Sequence, residues 1–256
     1  MPIREKQTRS IVVVAAGCLI AWGCAMFADA QTTMPSARRL ASMKADYKRP
    51  PPRPIENSAL VDLGRSLFWD PRVSASGKTA CVSCHFTYLG WAMTEPKNRN
   101  DSGKLTSRRS QPLIGIGHAQ GALIGWDGRS ATLEAQAKAS ISTGSMSMRE
   151  TDTPVKVEMI EERVRAVAEY MAKFNAALPG EPITIDAMAK AIAAYERAIE
   201  PGIAPFDRWI DGDEGAISES AKRGFVLFNG KSRMLPLPQR LAVYQRQLPR
   251  HRHHDD

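Results

Sequence analysis

The chain has 256 residues, with 35 Lys and Arg against 27 Asp and Glu, giving a formal net charge of +8. That length allows one domain of moderate size or two small ones. The positive charge is spread rather than clustered, and no Lys/Arg run is interleaved with aromatics, which excludes a nucleic-acid surface and leaves room for an acidic partner.

Residues 1–30 read as a secretory signal peptide. Arg4, Lys6 and Arg9 form the basic start, Ile11 to Phe27 the apolar run, and Ala28-Asp29-Ala30 a small-residue cleavage site. The apolar run is about long enough to span a membrane, so an uncleaved anchor stays open. A lipoprotein reading at Cys24, after Gly23, is less well supported by Ala21 and Trp22. Cleavage removes Cys18 and Cys24 and leaves Cys81 and Cys84 alone, so no structural disulfide is expected. Residues 31–55 are polar and end in Lys48-Arg49-Pro50-Pro51-Pro52-Arg53-Pro54; consecutive prolines fix the backbone and remove amide donors, which predicts an extended strap or linker.

A helix follows, capped at Asn57 or Ser58, with Leu60, Leu63, Leu67 and Phe68 on one face until Asp70-Pro71 stops it. Then comes Cys81-Val82-Ser83-Cys84-His85, the spacing of covalent c-type haem attachment. Two thiols add to the haem vinyl groups, and the adjoining imidazole falls under the iron. Half a zinc site and a thioredoxin-like redox pair are the competing readings. Zinc wants four ligands and no second cysteine pair follows, while the redox motif belongs to a strand-helix-strand pattern not found here.

Residues 95–128 carry Gly, Pro, Asn and Ser punctuation, either backbone wrapped around a cofactor or plain surface loop. His118, within this stretch, is open to two readings: a distal iron ligand or a hydrogen-bonded loop histidine. A long helix is predicted from Thr153 and Pro154 through Val157, Ile160, Val164, Val167, Met171 and Phe174. Another starts at Thr184 with Met188, Ile192, Tyr195 and Ile199 inward, and a last short one precedes Gly224. Strand signals are scarce, and the expected fold class is mainly α with long irregular loops.

Leu63-Gly64-Arg65-x-Leu67-Phe68-x-Asp70-Pro71-Arg72-Val73-Ser74, the haem motif, Trp126-Asp127-Gly128-Arg129 with Leu133 and Gln136, and Phe206-Asp207-Arg208-Trp209 together resemble the bacterial di-haem cytochrome c peroxidases and their MauG-type relatives. The likeness runs in order from about Tyr47 to Arg233. It implies a periplasmic protein of two cytochrome-c-like helical lobes, each with a haem, one reacting with peroxide and the other relaying electrons from a small donor protein. MauG-type relatives instead oxidise residues of a partner protein. On this resemblance residues 56–200 form the first haem domain and 201–233 the start of a second, incomplete one. Cys81, Cys84 and His85 match the first haem, and Trp126 matches the tryptophan between the haems, a core aromatic being the alternative.

Departures from the family pattern are equally specific. Ser110, after Arg109 and before Pro112, stands where the family has an asparagine that helps bind calcium, which counts against calcium as a second cofactor. The family's catalytic glutamate is replaced within Gly144-Ser145-Met146-Ser147-Met148, and the next carboxylate is Glu150, the candidate acid-base if the loop is shifted. Loss of such a group costs roughly a hundredfold or more in rate. Met146 or Met148 would serve as a sixth iron ligand, as in electron-carrying cytochromes, or as buried filler.

Where the family carries its second Cys-x-x-Cys-His, this chain has Met234-Leu235-Pro236-Leu237-Pro238. Read one base on, the codons for Met234 to Gln239 permit Cys-x-x-Cys-His-Ser, and the same frame through Asp255 continues like the family. Residues 234–256 are therefore expected to be out-of-frame translation, with His251, His253 and His254 accidents of frame. The chain as written holds one haem site where the family has two, and an uncovered second-lobe face would favour association, dimers included.

Overall fold

The computed structural model describes residues 34–119, 124–147 and 156–230, in two units. Their described elements are helical, with no strand among them and only three isolated bridges, at Phe86–Ala92, Arg99–Leu105 and Ile124–Ser130. None of these helices is long and apolar enough to cross a membrane. The expected signal peptide and the 234–256 tail lie outside the described residues.

The larger unit, residues 49–203, is built on two helices, α2 (Ser58–Trp69) and α6 (Ile185–Arg197). Both begin as their sequences predict. The Asn57 side chain accepts from Leu60 N at 2.9 Å, and Thr184 Oγ1 accepts from Ala187 N at 3.3 Å. Small residues then let the backbones meet: a Cβ on Gly64 would lie 1.8 Å from the Ala191 carbonyl oxygen. Leu63, Leu67, Phe68, Met188 and Ile192 are buried around this contact.

Asp70 closes α2 and starts the 3-10 turn Pro71–Val73 by accepting from Arg72 N at 2.8 Å. Tyr170 Oη donates to the same carboxylate at 2.7 Å. Burial pushes the Asp70 carboxyl up, but the hydrogen bonds from Arg72 and Tyr170 outweigh it and hold the group below its ordinary value.

Three expectations change in this unit. Residues 133–142 form a helix, α3 (Leu133–Ser142), capped by Thr132, which the sequence pattern did not single out. The single helix expected through Phe174 is two, α4 (Val157–Arg165) and α5 (Ala168–Ala177). Val167 is extended between them, which brings Tyr170 to Asp70 and leaves Met171 exposed, so Met171 is not a core residue. The expected cap, Thr153 with Pro154, lies outside the described residues.

The smaller unit joins residues 34–48 to 204–230. It contains α1 (Ala37–Ala45), α7 (Pro205–Ile210) and α8 (Glu219–Asn229), around buried Trp209, Ile210 and Phe225. The extended strap expected over 31–55 is thus corrected over Ala37–Ala45: the prolines sit at 35, 50–52 and 54, and the stretch between them is rich in helix formers. Lys44 seals the unit, donating to Trp209 O at 2.9 Å and Glu214 Oε1 at 2.7 Å while lying 4.1 Å over the indole. That lysine, with Trp209 Nε1, holds Glu214 down to about 2. The last helix does not stop before Gly224 but runs through it to Asn229.

Candidate haem-binding site

The attachment motif is a turn tied by its own hydrogen bonds. Cys81–Ser83 form a 3-10 turn in which the Cys81 carbonyl accepts from both Cys84 N and His85 N at 3.1 Å, and Ser83 Oγ accepts from Ala80 N at 3.1 Å. The buried Ser110 hydroxyl donates to the Cys84 carbonyl, pinning the other end of the turn. Both cysteines are free thiols. Burial raises both, with the Glu196 charge adding to the effect at Cys81, so the unattached thiols are poor nucleophiles towards stray oxidants.

His85 is oriented by a residue that no sequence signal marked. Its Nδ1 donates to the Trp91 carbonyl at 2.9 Å, because a carbonyl can only accept. Burial lowers the proton affinity of the ring, against backbone bonds to Trp91 and Gln111 that raise it, which favours the neutral imidazole; with the proton on Nδ1, Nε2 carries the lone pair. A neutral ring tied at Nδ1 is the form in which histidine ligates a metal. Trp91 presents its carbonyl from a left-handed backbone at φ 60°, the single positive-φ non-glycine among the described residues. The Phe86–Ala92 bridge and edge contacts of the indole with Phe68 and Tyr195, at 5.7 and 5.9 Å, hold it there.

The motif opens onto a cavity of about 490 Å³. Its walls include Leu113, Ile124, Leu133, Ile141 and Ile192, with Arg99, Arg108, Arg109 and Arg129 among its lining residues. Apolar walls suit a macrocycle and guanidinium groups suit its two carboxylates, so the residues present fit a haem. Cys81, Cys84 and His85 line the same space.

A family model described as di-haem cytochrome c peroxidase matches residues 58–215, more than half of the chain. The chain belongs to the di-haem cytochrome c peroxidase family. It is 37% identical over 227 residues to the methylamine utilization protein MauG of Methylorubrum extorquens, covering 86% of this chain and 62% of that protein. It is 34% identical over 212 residues to the cytochrome-c peroxidase IdrP1 of Denitromonas iodatirespirans, covering 79% of this chain and 54% of that one. Its fold is similar to the crystal structure of a MauG-like protein associated with microbial copper homeostasis, with TM-score 0.61 and 28% identity over 71% of this chain and 53% of the other. The chain thus spans less than two thirds of the length of these relatives.

Within this peroxidase-family site the sequence-predicted residues separate. Trp126 lines the cavity, on the loop closed by the Ile124–Ser130 bridge, with Nε1 donating to Arg109 O at 2.8 Å. It is half exposed, so the core-aromatic alternative does not hold within this unit. His118 is not brought to the cavity. Its Nε2 pairs with the Glu200 carboxylate at 2.8 Å, the loop-histidine reading rather than the ligand reading. Met146 is buried in the cavity wall with its sulfur 3.9 Å from Cys81 Sγ. Met148 and Glu150 lie outside the described residues. Ser110 contacts the haem-motif turn, and no cluster of three His, Cys, Asp or Glu side chains suited to a metal ion occurs among the described residues. Glu196, on α6, lines the cavity and was not singled out by its sequence, where Tyr195-Glu196-Arg197 reads as the end of an ordinary amphipathic helix.

Proposed function

We propose that this chain is a periplasmic c-type haem protein that reduces hydrogen peroxide with electrons from a small redox donor protein of the cytochrome c or cupredoxin type. The observation that supports this most is the neutral His85 ring, fixed through Nδ1 at the mouth of a cavity that both thiols of its attachment motif also line. The bound haem would supply the redox centre at which peroxide is split. Of the chain's own residues, which line one cavity, Cys81 and Cys84 would attach it, His85 would ligate it and the arginines would meet its carboxylates.

Trp126 lies between this cavity and solvent, which supports its reading as an indole that assists electron transfer. Met146 occupies the wall without a proton to give, so turnover with peroxide is expected to be slow unless another carboxyl serves. MauG-type oxidation of a partner protein is the second reading. The supporting observation is the 37% identity to MauG over 86% of the chain, higher than the 34% to the peroxidase IdrP1.

The test is a haem count and intact mass on protein matured in its own periplasm, followed by a visible spectrum with and without peroxide. One haem per chain of this length, with a high-spin spectrum that changes on adding peroxide, supports the enzyme as written. Two haems on a longer chain support the frame reading of residues 234–256. A six-coordinate spectrum indifferent to peroxide favours a mono-haem electron carrier and contradicts the peroxidase reading.

A further inference from the structure

Among the described residues, Glu196 Oε2 is the buried side-chain polar atom that meets no hydrogen-bond partner. Glu196 is 4% exposed, sits in the last turn of α6 and lines the haem cavity with Cys81 and Met146. The other buried carboxylates are satisfied: Asp70 by Arg72 and Tyr170, Asp101 by Ser76 N and Oγ at 2.6 Å each. Leaving one carboxyl oxygen dry and unpaired costs free energy that the fold has no structural reason to accept.

The ionisable groups acting on Glu196 are few. Arg197 beside it stabilises the charge, but is itself committed to Glu134 on α3 at 2.6 Å, and Glu134 acts in the opposite direction. Asp62 and Arg65, on the α2 helix packed along α6, face solvent, and His118 is paired to Glu200. Cys81, on the facing turn, loses its thiol when haem attaches. Burial therefore dominates and raises Glu196 to about 8, so the group is protonated at neutral pH.

A haem iron changes that balance by one unit of charge. With a porphyrin dianion and the neutral His85 imidazole, a bound ferric core would be cationic and a ferrous core neutral. A cation in a poorly solvated cavity favours the carboxylate, and its removal favours the acid.

We propose that Glu196 is the proton partner of the haem electron: its carboxylate takes up one proton from solvent when the haem in this cavity takes up one electron, and returns it on oxidation. The step balances as ferric iron, one electron, carboxylate and one proton giving ferrous iron and carboxylic acid, with the electron coming from a one-electron donor. This rests on the haem reading above. It adds that α6 carries a redox-linked acid at the cavity, so that the driving force delivered to peroxide depends on pH through one side chain.

The experiment is a spectroelectrochemical titration of the haem-loaded chain at pH values spanning the Glu196 value of about 8, for wild type, Glu196→Gln and Glu196→Asp. In wild type the reduction equilibrium falls as pH rises, by at most about tenfold per unit for one proton per electron. Glu196→Gln is expected to be flat over that window, and Glu196→Asp to restore part of the slope. Haem content and spectrum, read on the same samples, show whether each variant is loaded. A loaded Glu196→Gln protein with the wild-type slope overturns the proposal while leaving the haem site standing. A wild-type chain that carries no haem overturns both.

Discussion

The α2–α6 helix pair and the loop wall at residues 80–130 both line one unit, yet they are held in different ways. The helices meet through Gly64 against Ala191, with apolar side chains buried on either side. Among its described residues the wall has short 3-10 turns and isolated bridges, and its haem turn is fixed by single hydrogen bonds with Ser83, Ser110 and the Trp91 carbonyl. Packing makes the helix pair self-sufficient, whereas the wall is a set of local ties that a covalently attached group would reinforce.

The largest effect should come from breaking the helix pair. Gly64→Ala puts a methyl group into the Ala191 carbonyl, and is expected to cost about 3 kcal/mol or more, read as a lower urea midpoint with loss of helical signal. Tyr170→Phe removes one donor from the buried Asp70 carboxylate, for about 2 kcal/mol near neutral pH. The sign of its pH dependence follows from the lowered Asp70 value. That stabilisation is present above the ordinary carboxylate value of 3.8 and is lost as pH falls through the folded value. The variant should therefore differ most from wild type near neutrality and converge with it in acid, as acid-unfolding curves would show.

Two smaller changes sharpen the contrast. Ser110→Ala leaves the Cys84 carbonyl without its hydroxyl donor, at about 1 kcal/mol. It should lower haem loading and speed proteolysis within residues 80–110 while leaving the global urea midpoint nearly unchanged. Equal shifts in both readouts would mean that wall and helices unfold together. Asn57→Ala removes the α2 cap at about 1 kcal/mol and should move only the global midpoint.

How much of this was legible in the sequence follows the same division. Helices α2 and α6 declare themselves through Asn57 and Thr184 as caps and through apolar spacing. The haem motif declares itself by its fixed spacing, because its chemistry is local. Helix α3 was not legible: Leu133 and Ile141 are its only large apolar residues, and small Ala and Ser around Glu134, Gln136 and Lys138 leave too weak a stripe to show a face. The break at Ala166–Val167 has no glycine or proline to announce it, and depends on Tyr170 finding Asp70 about a hundred residues away. The α1 helix was hidden by prolines on both sides of it.

At the site, Trp91 acts through a backbone carbonyl and Glu196 through where α6 points it, neither of which leaves a mark on residue type. His118 is the converse: its residue type suggested a ligand, while the fold pairs it with Glu200 instead.

The most direct test of the account is peptide mass mapping of the matured chain across residues 81–85. A haem covalently linked to the peptide bearing both Cys81 and Cys84, and lost in the Cys81→Ser, Cys84→Ser double variant, is the predicted result. Free thiols on that peptide in protein matured where c-type haem is attached would contradict it.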